Sequence, residues 1–208
     1  EDWQAGRWRL DLDKLFDACD GRTKAMFLAS PGNPTGWILT AEEQKSILDF
    51  CRARGIAILA DEVYGTLIYD GAPHAPSFLT IADDEDAVFA INSFSKPWAM
   101  TGWRIGWLVH PKRVEPAAAA MAQCNNTGST HFVQYGALAA LSPQGDVFRA
   151  ELLERCARGR EVVETWQAPF NGRLHYLFER VQGRSAALNT GITGSESDLV
   201  GFIDLGDQ

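Results

Sequence analysis

Apolar residues fall along this chain in two patterns, short continuous runs and helical spacing, and their order predicts a sheet packed by helices. Residues 24–29, 56–60 and 87–92 are short, nearly continuous apolar runs bounded by turn residues, the signature of buried strands. A fourth apolar run covers residues 104–109. Between the first two runs lies Thr40-Ala41-Glu42-Glu43, with a glutamate three residues after a threonine. That capping box starts a helix carrying Ile47, Leu48 and Cys51 on one face, and Gly55 ends it. Strand, helix, strand at this spacing is a βαβ unit, so the expected fold is α/β: a mostly parallel sheet flanked by helices. Helical spacing also marks residues 11–20 (Leu12, Leu15, Phe16), the alanine-rich residues 111–122, residues 131–141 (Phe132, Tyr135, Leu138, Leu141) and a long amphipathic helix over residues 146–166 (Phe148, Leu152, Val162, Val163, Trp166). Residues 125–130 break the helical pattern. The acidic run Asp83-Asp84-Glu85-Asp86 reads as a solvated turn, and residues 174–178 as a further strand.

The strand ends carry the candidate chemistry, because ligands of such sheets sit beyond the carboxyl ends of the strands. Residues 87–92 lead into Ser93-Phe94-Ser95-Lys96-Pro97-Trp98-Ala99-Met100-Thr101-Gly102-Trp103-Arg104. A lysine at the end of a buried strand either snorkels to the surface or offers its amine for use. Ser93 and Ser95 just before it and Arg104 just after supply hydroxyls and a guanidinium, the makings of a phosphate cradle. A lysine beside a phosphate site points to a Schiff base with pyridoxal phosphate. Elsewhere the local readings are plainer. Asn33 fits a turn, Asp61 a helix cap, Tyr64 an aromatic core position and His74 a solvated loop. Glu62 is given no role.

Three stretches change that picture together: Ser30-Pro31-Gly32-Asn33-Pro34-Thr35-Gly36, Ala60-Asp61-Glu62-Val63-Tyr64, and the Lys96 stretch. In residues, order and spacing the chain resembles the class I/II pyridoxal-phosphate-dependent aminotransferases of fold type I, clearly over residues 8–135. The resemblance implies catalytic roles for Lys96, Asp61 and Tyr64. Lys96 would form the Schiff base and then move the substrate α-proton. Asp61 would keep the cofactor ring nitrogen protonated, since a carboxylate one hydrogen bond away favours the charged form. Asn33 and Tyr64 would bond the ring's 3′-oxygen, and Ser93, Ser95 and Arg104 would hold the phosphate. Amino acid and 2-oxo acid substrates and a homodimeric full-length protein are implied too. A β-eliminating lyase, a decarboxylase or the sensor domain of a transcription regulator could share the scaffold. The family pattern expects an early glycine-rich phosphate loop, which has no counterpart before Asn33, and a carboxylate-gripping arginine, with no convincing counterpart after Gln182. The chain therefore reads as an internal piece. Residues 1–145 are expected to be the later part of the cofactor domain, and residues 146–208 a bridging helix with the start of a smaller α/β domain. Residues 183–208 depart from the pattern.

Composition narrows the partners. A net charge of −8 and a pI of about 5.0 disfavour nucleic acid and anionic membrane. No apolar stretch is long enough to span a bilayer. The four cysteines are widely spaced, which fits reduced cytoplasmic thiols and neither a disulfide frame nor a metal site.

Overall fold

The computed structural model describes residues 2–4 and 7–167. A short antiparallel ribbon, β1 (Asp2–Gln4) and β2 (Arg7–Arg9), comes first. Its strands are too short to register as a period in the sequence. The chain continues through α1 (Leu12–Asp17), β3 (Ala25–Ala29), α2 (Ala41–Arg54), β4 (Ala57–Asp61), β5 (Val88–Ser93) and β6 (Gly106–Val109). Three helices follow, α3 (Glu115–Asn126), α4 (His131–Ala140) and α5 (Pro143–Gln167).

The second sheet has strand order β3-β4-β5-β6. Its first three strands are parallel, as the βαβ reading requires, and β6 returns antiparallel to β5. The pleat sorts the strand residues onto two faces. Met26, Ile58 and Val88 align across the sheet and are buried against Leu39, Ile47, Leu48, Cys51 and Phe78. Helix α2 has the predicted capping box: Thr40 Oγ1 accepts from the Glu43 N–H, and the Glu43 carboxylate accepts from the Thr40 N–H. It ends on Gly55 in the left-handed region (φ 65°), as glycine allows. Phe16 of α1 stacks on Phe50 of α2 at 4.1 Å between ring centroids. The other face aligns Phe27, Leu59 and Phe89. It is more open, with Phe27 62% exposed.

Several elements differ from their sequence reading. Helix α1 is shorter than residues 11–20: Asp11 caps its start, and Asp20 turns the chain by accepting the Arg22 N–H at 2.9 Å. Helix α3 runs to Asn126, through the start of the expected break, and stops where Thr127 and Gly128 adopt positive φ. The acidic run is a turn, but Asp86 is not solvated. It is 7% exposed and accepts from Arg52 Nε and Nη2, each at 2.6 Å, and from the Asp83 N–H at 2.8 Å. The Arg52 guanidinium holds the Asp86 carboxyl below its ordinary range. Helix α5 begins at Pro143, a residue suited to a first turn.

The chain divides into two compact units, Glu1–Arg155 and Cys156–Gln208. The expected strand at residues 174–178, the side chains of Val162, Val163 and Trp166, and residues 183–208 lie outside the described positions. Among the described residues, no helix is long and apolar enough to cross a membrane.

Candidate active site

Register puts the candidate residues at one edge of the sheet. Asp61 closes β4 and pairs with Ile91, and Ser93 closes β5 two residues further on. Side chains two apart share a face, so Asp61, Ile91 and Ser93 lie on the same side of the sheet. Because β6 is antiparallel, Ser93 pairs with Gly106, and Arg104 sits just before that pair at the same edge.

Two loops join this edge. The segment 30–37 is closed by Gly32 N–H to the Trp37 carbonyl and Gly36 N–H to the Gly32 carbonyl, both 2.8 Å. The closure holds Asn33 outward, where its Nδ2 donates to the Tyr64 hydroxyl at 3.3 Å. Tyr64 sits in the turn after β4. Asp61 starts that turn by accepting the Val63 N–H on Oδ1 at 3.2 Å. The cap reading of Asp61 is thus partly met, although it caps a turn and no helix begins there. The Lys96 ammonium lies 6.0 Å from the Tyr64 ring centroid, at the outer limit of a cation–π contact.

Ser93 and Ser95 pair through their hydroxyls at 2.9 Å, and the Ser95 N–H donates to Ser93 Oγ at 3.0 Å. Arg104 donates from Nη1 to the Thr101 carbonyl at 3.0 Å. Arg104 and Ala99 are non-glycine residues at φ 52° and 51°, and such strained backbone collects where function fixes a loop. Asn33 and Tyr64 are in direct contact, as are Ser93 and Ser95. Asp61, Lys96 and Arg104 stand at the same edge.

The sequence reading missed what holds the lysine loop. Phe94, Trp98 and Met100 are buried with Ala137 and Ala140 of α4, in a cluster separate from the main core. Phe94 lies 5.0 Å from Trp98 and 5.1 Å from Trp107, ring centroid to centroid, and the Arg149 guanidinium lies 5.8 Å from the Trp98 ring. A Cβ on Gly136 would stand 2.3 Å from the Trp103 ring, so glycine there lets the loop lie against α4. Alternating aromatics around a lysine were the available signal. His74 is exposed, as the loop reading expects, and its ring also packs on Gly65, where a Cβ would come within 2.5 Å.

The donor set fits pyridoxal phosphate: a primary amine, paired hydroxyls and a guanidinium for an anion, an amide and a phenol in contact, and a carboxylate at the strand end. Among the described residues, no cluster of three His, Cys, Asp or Glu could hold a metal ion.

Known proteins resemble this chain in sequence and fold. The chain is 34% identical over 182 residues to an aspartate aminotransferase of Geobacillus stearothermophilus, covering 87% of this chain and 42% of that one. It is 34% identical over 179 residues to aromatic-amino-acid aminotransferase 2 of Thermococcus litoralis, covering 86% and 42%. The crystal structure of an aromatic aminotransferase from Pyrococcus horikoshii superposes with a TM-score of 0.71 at 31% identity, covering 77% of this chain and 43% of that one. The chain thus spans about two-fifths of the length of these curated relatives. The pattern of the family described as aminotransferase class I and II matches residues 3–165, and the chain belongs to that family.

Proposed function

We propose that the full-length protein is a pyridoxal-phosphate-dependent aminotransferase that moves an amino group between an amino acid and a 2-oxo acid. The observation that carries this reading is the meeting of Asn33, Tyr64 and Lys96, drawn from three separate motifs, at the strand edge that Asp61 and Ser93 close. When bound, the cofactor supplies an aldehyde for the amine and a ring that takes up carbanion charge. Lys96 offers that amine and afterwards shuttles a proton as general acid–base. The Asp61 carboxylate holds a proton on the ring nitrogen. The Asn33 amide and Tyr64 hydroxyl donate to the ring's 3′-oxygen. Ser93, Ser95 and Arg104 would hold the cofactor's phosphate by charge-assisted bonds, which would fix the reacting atoms in place.

In this reading residues 1–145 belong to the cofactor-binding domain, and residues 146–208 are a bridging helix and the start of a smaller domain. Relatives named for aspartate and for aromatic amino acids support an amino acid substrate; a homodimer is what the family resemblance implies. The free cysteines suit the cytoplasm.

Borohydride reduction of the full-length protein with pyridoxal phosphate, followed by peptide mapping, should place the pyridoxyl group on Lys96. A label on Lys45 or Lys112 would sink the assignment. A single-turnover reaction with an amino acid should leave the cofactor in its amine form, whereas elimination or decarboxylation would return the aldehyde form.

A further inference from the structure

Directly behind the strand edge lies a buried carboxylate that the reaction does not touch. Glu62 follows Asp61 and is only 4% exposed. Its carboxylate accepts from Ser77 Oγ at 2.9 and 2.8 Å and from the Phe78 N–H at 3.2 Å. The Asn92 side chain, adjacent to Ser93, also bonds to it. Its own N–H donates to the Ile91 carbonyl at 2.9 Å. Glu62 therefore ties the end of β4 to β5 through its N–H and to the segment 77–78 through its carboxylate.

On the reading that Asp61 and Ser93 serve the cofactor, we propose that Glu62 is a positioning residue that fixes the spacing between the ring-nitrogen carboxylate and the phosphate-binding serines. The partners explain the residue type. Ser77 Oγ accepts from the Leu79 N–H at 3.2 Å, so its single proton is free for Glu62. The Phe78 N–H is a donor only and Ser77 offers its proton, so an acceptor carboxylate suits the site.

Stability does not account for the charge. Burial pushes the Glu62 carboxyl above its ordinary value of 4.5, outweighing the lowering by Ser77, Phe78, His74 and Asn92. A raised folded-state value means that stability is full below about pH 4.5 and falls as pH rises through the raised value. A buried carboxyl whose charged form costs stability is better explained by what it holds in place.

The test uses the full-length protein, measuring cofactor affinity of the apoenzyme by fluorescence quenching and stability by the denaturant midpoint. Glu62→Gln should weaken pyridoxal phosphate binding roughly tenfold, about 1.4 kcal/mol, with the apoenzyme midpoint at pH 8 unchanged or higher. Ser77→Ala removes one of the donors without touching the strand edge. It should shift the affinity in the same direction by a smaller factor, and it carries the test if Glu62→Gln does not fold. Unchanged affinity with a lowered midpoint in either variant would reduce Glu62 to a structural acceptor and overturn the proposal. If the parent itself fails to bind pyridoxal phosphate, the functional reading falls and the positioning role falls with it. A parent that binds beside an unaffected variant overturns the positioning role alone.

Discussion

Asp61 sits where a small chemical change separates structure from catalysis. Asp61→Asn keeps the size of the side chain and an oxygen for the Val63 N–H, so the turn and the fold should survive. The neutral amide no longer favours a protonated ring nitrogen, and kcat should fall roughly 10²–10³-fold, in the range typical of losing one electrostatic partner. Asp61→Glu, which keeps the charge, should retain more activity than the amide. Steady-state kinetics on the full-length protein with matched circular dichroism spectra make the comparison. Equal kcat in the asparagine variant and the parent would leave Asp61 as a turn cap.

Helix α2 and the turn before β5 are joined by Arg52, which is half exposed and pairs with buried Asp86 and with Asp83, and the Asp86 pair has a pH signature. The Arg52 guanidinium holds the Asp86 carboxyl below its ordinary value of 3.8. A depressed folded-state value means the stabilisation is present above about pH 3.8 and is lost as pH falls through the lowered value. Asp86→Asn should therefore cost roughly 1.5–3 kcal/mol at neutral pH, the range for hydrogen bonds to charged groups. The gap to the parent in denaturant midpoint should close as the solution is acidified. The pairing of β5 with β6 makes a second demand. A Cβ on Gly106 would stand 2.5 Å from the Asn92 carbonyl oxygen, which is backbone and cannot swing aside. Gly106→Ala should destabilise by about 1–3 kcal/mol. Hydrogen exchange should quicken first along Gly106–Val109, and uniform exchange across the sheet would contradict this. Much of the element level was legible in the sequence, because the continuous apolar runs of β3, β4 and β5 and the helical spacing of α2 agree with their caps and turns. Of the candidate residues, Ser93, Ser95, Lys96 and Arg104 stood out within one stretch, whereas Asn33, Asp61 and Tyr64 became candidates only when three short motifs were read together. The Asp86 lock, the Glu62 tie and the seating of Trp103 on Gly136 were not. Each depends on two residues far apart in the chain, and no local period marks such a pair.

At the scale of the molecule, the exposed apolar surface is the feature with consequences. Helix α4 buries Val133, Ala137 and Ala140, while Phe132, Tyr135, Leu138 and the following Leu141 stay open to solvent, Phe132 at 71%. With Phe27 open as well, the 208-residue chain alone should self-associate. Light scattering should report species larger than a monomer, and Leu138→Lys should shift the distribution toward monomer. A monodisperse monomer of the parent chain would contradict the expectation. The reversal of direction at β6 has a different kind of consequence, for recombination. Ser93 and Gly106 are partners across the sheet, so the segment 94–105 leaves and re-enters the scaffold at neighbouring points. Such a segment could be replaced from a relative without moving the strands that frame it. Its plug, Phe94, Trp98 and Met100, would travel with it, but its socket on α4 would stay behind. The heritable unit of exchange at this site is therefore the loop together with α4, and a crossover falling between Gly106 and His131 would split a matched pair.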